Sequence, residues 1–267
     1  EGIASKGPDV SFTHNWNSLS KVGIPRGAYH FYRAGHDPVK QAEAFFSVVG
    51  ELSPDDMPPA IDIEVPPVDG QTTIQYAENV KKFIERAESL FKRRIVVYTG
   101  GPIFNTSTRG ASDEILNFIS DRDLWLAAYV VNPAKFIPTA WSKRNKTWTI
   151  WQKSGDIGAN NSPGRRIQGI KGVVDYNEFD AHVVDLNEWI KSSFITENVK
   201  KPEEDLKIEI APPDNNEDLN NNHKEEKLDI EVTIEETLDT PQPIKKNWFN
   251  VLLDYIKIIF SIFLRTK

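Results

Sequence analysis

The densest chemistry in the 267-residue chain lies in Pro58-Pro59-Ala60-Ile61-Asp62-Ile63-Glu64. On a strand, residues i and i+2 project to the same side. Asp62 and Glu64 therefore share one face, while Ile61 and Ile63 pack on the other. Two strand residues put their Cα atoms about 6.6 Å apart. Carboxylates held that close repel, which favours one staying protonated near neutral pH. An acid that protonates a leaving oxygen, beside an anion that stabilises the positive charge so formed, is the pair that glycoside hydrolysis uses. The spacing exceeds the about 5–5.5 Å of direct carboxylate attack and suits a water-mediated or substrate-assisted route. An alternating strand with two solvated acids gives the same short pattern, so context has to decide.

Other constellations are weaker. The histidines, His14, His30, His36, His182 and His223, show no H-E-x-x-H or other ligand spacing. With no Cys in the chain, thiol nucleophiles, disulfide scaffolds and Cys-ligated metal sites are excluded. Neither a metal nor an organic cofactor is expected. His30 reads as a hydrogen-bonded structural histidine, with a place in a groove as the alternative. Gly100-Gly101-Pro102 reads as a turn, since no G-K-[ST] follows to make a phosphate loop. Lys92-Arg93-Arg94 reads as a solvated helix end. Trp125, Trp148 and Trp151 read as core, with Trp125 or Trp151 as alternative sugar platforms.

The elements that must position these residues follow from hydrophobic pattern. Short apolar runs at 25–32, 58–64, 94–99, 124–130, 147–152 and 170–175 predict strands. Helical patterns fall between several of them. Asp37-Pro38 offers a cap and a first-turn proline before 39–49. Ile74, Ala77, Val80, Ile84, Ala87 and Phe91 recur at helical spacing, Ser112 precedes Ile115, Leu116 and Ile119, and 181–191 repeats the pattern. Strands alternating with helices predict parallel βα units, whose ligands sit at the C-terminal strand ends.

Charge divides the chain. Residues 1–195 are nearly neutral, with 23 acids and 22 bases, whereas 196–245 hold 15 acids and 6 bases. That second stretch has no aromatic residue, so it reads as a disordered acidic linker that cannot bury enough apolar surface to offset its chain entropy. Residues 246–267 carry 4 bases and 1 acid around a strongly apolar run in which Asn250, Asp254, Lys257 and Ser261 form one helical stripe. An amphipathic helix at a membrane surface is expected there, with docking on a protein or a true span as alternatives. A net charge of −7 argues against nucleic acid as a partner.

Six motifs then occur in order: Gly27-Ala28-Tyr29-His30-Phe31, the Asp62-Ile63-Glu64 strand, Val97-Tyr98-Thr99-Gly100, Leu124-Trp125-Leu126-Ala127-Ala128-Tyr129, Trp148-Thr149-Ile150-Trp151-Gln152 and Val174-Asp175-Tyr176-Asn177. Together they resemble glycoside hydrolase family 25, the Chalaropsis-type lysozymes, over roughly 1–192. The resemblance implies an irregular TIM-like β/α barrel that hydrolyses peptidoglycan glycan strands between N-acetylmuramic acid and N-acetylglucosamine. It implies Glu64 as proton donor, Asp62 as the carboxylate beside it and Asp175 as the acid of the last strand. Glu1, Tyr29, Tyr98, Tyr129 and Gln152 match groove positions. Family 18 chitinases also end a strand in D-x-E, but Met57 and Ala60 stand where their two further Asp would be.

The match departs at the front. The family's first strand and its catalytic Asp would precede Glu1, so the expectation is a barrel lacking its first strand and less active than a longer form. Glu1-Gly2-Ile3 is no initiator, so either a leader was removed or the chain is a fragment. The expected organisation is a muramidase domain at 1–195, a linker at 196–245 and a helix at 246–267, secreted or attached to the cell envelope. A non-catalytic or degenerate cell-wall-binding domain is the alternative.

Overall fold

The computed structural model describes residues 8–155, 166, 174–180, 184–195 and the backbone of 264–266. Five strands run parallel: β1 (Ala28–Phe31), β2 (Ala60–Ile63), β3 (Val96–Thr99), β4 (Leu124–Ala127) and β5 (Ile150–Ser154). β6 (Tyr176–Phe179) returns antiparallel to β5. The spatial order is β6-β5-β4-β3-β2-β1, with β7 (Leu264–Thr266) parallel beside β1. Consecutive parallel strands are neighbours throughout. Right-handed crossovers in such an order place the connecting helices on one face.

Those helices begin where side chains satisfy the first free backbone N–H groups. Asp37 accepts from Val39 N and Lys40 N ahead of α2 (Pro38–Val49). Thr72 and Gln75 form a reciprocal capping box at α3 (Thr73–Phe91). The helix then stops at Lys92, which takes the left-handed conformation (φ 55°). Ser112 caps α5 (Asp113–Ser120), and Asp185 caps α7 (Leu186–Ser192). α1 (Phe12–Lys21), α4 (Gly101–Ser107) and the single turn α6 (Thr139–Ser142) complete the set, with a 3₁₀ turn at Pro133–Phe136.

The sheet separates two cores. Ala28, Ile61, Ile63, Val97, Leu124, Leu126 and Trp151 face α2 and α3 and bury against Phe45, Val80, Phe83 and Ile84. On the opposite face Ala60, Val96, Trp125 and Ile150 pack with Met57 and with Trp189 and Ile190 of α7. Alternation alone accounts for this division, because neighbours in register project to the same side.

Several expectations need correction. The last strand runs at Tyr176–Phe179 and not at 170–175, of which 170–173 lie outside the described residues. Gly100-Gly101-Pro102 is a helix start: Gly100 is the N-cap of α4, and a Cβ on Gly101 would collide with the Phe136 carbonyl. Arg93 is no solvated helix end. It is 1 % exposed, donates to the carbonyls of Ile190, Ser53 and Pro54 and to Ser193 Oγ, and stacks on Phe194. A guanidinium, with five donors in a fixed fork, can staple three chain segments in this way. α1 had no sequence signal above its surroundings; burial of Phe12, Trp16 and Leu19 holds it. The linker at 196–245 and most of the helix expected at 246–267 lie outside the described residues. Leu264–Thr266 run as a strand, since the β1 edge offers unpaired backbone groups. Among the described residues no helix is long and apolar enough to cross a membrane.

Candidate active site

β2 delivers the two carboxylates. Asp62, paired in register with Tyr98 of β3, is buried at 5 % exposure, whereas Glu64, one residue past the strand end, is exposed. Both lie on the face opposite Ile61 and Ile63, as the alternation predicts. The pair is thus split by environment, one acid enclosed and one open to solvent.

Tyr98 rises from β3 on the same face. Its hydroxyl lies 3.2 Å from Glu64 Oε1 and 2.7 Å from Gln152 Oε1 of β5. Burial, and then the charges of Glu64 and its neighbours, push the Tyr98 hydroxyl well above its usual range, so it stays neutral. Tyr129, just past β4, donates to the same Gln152 oxygen at 2.7 Å. Gln152 Nε2 in turn donates to Asp175 Oδ2 at 3.1 Å. Four residues from four segments and the exposed Glu64 therefore form one hydrogen-bonded chain at the C-terminal ends of the parallel strands.

Below this chain lies an aromatic floor. Trp125 of β4 meets Tyr98 edge-on at 4.9 Å and Tyr29 of β1 at 6.5 Å. Its indole N–H donates to Asn177 Oδ1 at 2.7 Å. Tyr29 packs against the core on this face, beside Trp125. Of the predicted site residues, Glu64, Tyr98, Tyr129, Gln152 and Asp175 are joined, Asp62 adjoins them, and Glu1 lies outside the described residues.

Two contributors went unrecognised in the sequence. Asn177 sits two residues past Asp175, a spacing that shares a face on an extended chain. Gly155 follows β5, and a Cβ there would lie 2.6 Å from the Tyr129 hydroxyl, so glycine is what admits that ring. His30 and Trp151 belong to the other face. His30 Nε2 bonds Gln41 Oε1 at 3.1 Å and its ring stacks on Phe83. Burial lowers its pKa from the usual 6.5 to about 4, so it is neutral and structural. The Trp151 indole donates to Ala128 O. Among the described residues no cluster of three or more His, Asp or Glu could hold a metal ion.

A mixed α/β sheet with α2 and α3 packed on one face and acids and tyrosines at its C-terminal edge on the other is the setting of a βα-type enzyme site. The sequence profile of the Glycosyl hydrolases family 25 matches residues 3–160, and the chain belongs to that family. It is 30 % identical over 179 residues to a lysozyme from Streptomyces globisporus, covering 64 % of this chain and 55 % of that protein. It is 29 % identical over 176 residues to the autolytic lysozyme of Clostridium acetobutylicum, covering 66 % and 46 %. The chain thus spans about half the length of these relatives. Among solved structures it resembles the lysozyme of Streptomyces coelicolor, with a TM-score of 0.56 and 28 % identity over 69 % of this chain and 80 % of that one. The family 25 lysozyme of Aspergillus fumigatus follows with 0.53 and 27 % over 70 % and 81 %.

Proposed function

We propose that the domain is a lysozyme-type muramidase that hydrolyses the β-1,4 bond between N-acetylmuramic acid and N-acetylglucosamine in peptidoglycan. The observation that carries the reading is the split carboxylate pair, buried Asp62 and exposed Glu64, on one face at a parallel strand end. Family membership and the lysozyme relatives support it. Glu64, open to solvent, donates a proton to the glycosidic oxygen as the bond to the anomeric carbon breaks. Asp62 stabilises the positive charge left at that carbon, water supplies the new hydroxyl, and its proton restores the acid. Tyr98, Tyr129 and the aromatic floor give flat apolar and hydroxyl-bearing surfaces of the kind sugars fit. The chain's own acids supply this chemistry without a metal or organic cofactor.

The sheet forms, in this reading, part of the wall of a TIM-like barrel whose groove opens at Glu64. The protein works on cell-wall glycan outside the cytoplasm, and 246–267, with its basic flanks and polar stripe, holds it at a membrane surface. Cosedimentation with anionic vesicles, equal with and without 246–267, would remove that last element. For the chemistry, Glu64→Gln keeps shape but cannot act as an acid. Turbidity clearing of purified cell walls should fall at least ~10²-fold with the far-UV spectrum unchanged. Clearing at the unmutated rate eliminates Glu64 from the mechanism, and wall binding without clearing by either form would mean a non-catalytic module.

A further inference from the structure

Glu64 stands one residue past β2, where the ladder stops and an exposed stretch at 68–70 soon follows. A side chain in such a place swings with its backbone unless something beyond the ladder holds that backbone. Three carbonyls beside it have partners from other segments. Asp62 O accepts from the Tyr32 N–H at 2.9 Å, one residue past the end of β1. Ile63 O, in the peptide unit that leads into Glu64, accepts from the Thr99 hydroxyl at 2.8 Å. Val65 O accepts from the Tyr76 hydroxyl of α3, also at 2.8 Å. Val65 precedes Pro66, which restricts it to extended backbone. The other acceptor near Thr99 is Gly100 O at 3.4 Å, beyond the range of a good O–H···O bond, so the proton goes to Ile63. Each hydroxyl has a single proton, and each gives it to a backbone oxygen next to Glu64.

We infer that Thr99 and Tyr76 are positioning residues: their hydroxyls grip the chain on both sides of Glu64 and hold the acid where its proton reaches the glycosidic oxygen. The inference rests on the muramidase reading and adds to it two residues that never meet the sugar. Both are 0 % exposed and belong to the packing side of the sheet. Thr99 is paired in register with Ile63, and the Tyr76 ring packs edge-on against Tyr32 in the core beside α3. The grip acts on the backbone, so it is the same whether Glu64 carries its proton or not. What it controls is distance. A displacement near 1 Å at a catalytic group can cost ~10²-fold in rate, and loss of one of two grips releases part of that.

Thr99→Val keeps the shape of the side chain and removes the hydroxyl, and Tyr76→Phe does the same for the ring. Each should lower kcat on soluble peptidoglycan fragments about tenfold per folded molecule, with KM unchanged. Thr99→Ser, which keeps a hydroxyl, should restore most of the rate. A merely structural role would lower the folded fraction and leave kcat per folded molecule in place, and that result in either variant overturns the inference. The Glu64→Gln background gives an independent reading. With no acid left to position, adding Thr99→Val should cost nothing further. A further tenfold loss there would mean that the hydroxyl acts by another route and would also overturn the inference. If one variant fails to fold, the other carries the test. Nitrogen-15 relaxation at Glu64 and Val65 reads the grip without substrate: both amides should gain motion in each variant, and unchanged relaxation refutes the grip. A parent protein that clears no wall would therefore sink the muramidase reading while the relaxation still decides the grip, and clearing with kcat unmoved in the variants would sink only the grip.

Discussion

On the face of the sheet turned to α2 and α3, Ile61, Ile63, Val97, Leu124 and Leu126 do nothing but pack. On the opposite face the same strands carry two kinds of residue in rows. Ala60, Val96 and Ile150, toward the strand starts, close a second apolar core with α7, while Asp62, Tyr98 and Gln152, one pleat further on, carry the polar chain. Adjacent residues of one strand, Ile61 and Asp62, therefore answer to different requirements. The outer face is held by burial, where a lost methylene costs stability; the polar row is held by geometry, where a lost donor costs chemistry.

Substituting those two neighbours gives the sharpest break in the comparison. Asp62→Asn should lower the rate of wall hydrolysis about 10²–10³-fold, as removal of a charge-stabilising group does, and leave the unfolding midpoint nearly in place. Ile61→Ala should do the reverse, costing about 2–5 kcal/mol in urea unfolding while the activity per folded molecule persists. If both changes reduce rate and stability in parallel, the two faces are not separable.

A smaller effect comes from the one imidazole stacked in the outer core. Because the folded-state pKa of His30 is lowered to about 4 from 6.5, folding favours the neutral ring. The stability it preserves is present above pH 6.5 and is lost as pH falls from there toward 4. The loss is at most about 3.4 kcal/mol, the free energy that separates 6.5 from about 4. Unfolding followed through that window should show a slope that His30→Gln removes. An equal slope in the variant would assign it to carboxylates instead.

The smallest change expected is a gain. Among the described residues the Tyr32 hydroxyl, buried between the rings of Tyr76 and Phe83, meets no hydrogen-bond partner. Tyr32→Phe should leave hydrolysis unchanged and raise stability by about 1 kcal/mol, by removing a desolvated polar atom. A loss on thermal unfolding would mean that the hydroxyl is satisfied after all and that the outer core is less purely apolar than it looks.

Much of the scaffold was legible locally. Four of the five parallel strands fall within their predicted runs, β5 extends two residues past its own, and α2, α3 and α5 begin at Asp37, Thr72 and Ser112 because caps are local hydrogen bonds between residues two or three apart. The face shared by Asp62 and Glu64 follows from a period of two. α4 and the Arg93 staple were misread, because the Phe136 carbonyl against Gly101 and the carbonyls around Arg93 come from distant parts of the chain.

The sequence by itself determined which residues alternate, where α2 and α5 begin, that the chemistry would centre on carboxylates with no thiol available, and which family the motifs resemble. Only the tertiary structure decided that Asp62 is enclosed while Glu64 is open, that His30 and Trp151 lie on the packing face, and that Gln152 ties Tyr98, Tyr129 and Asp175 together. The physical reason is range. Pleat and caps act over two to four residues, whereas the Tyr98 hydroxyl meets an amide 54 positions away in the chain, brought within 2.7 Å by the side-by-side pairing of β3, β4 and β5.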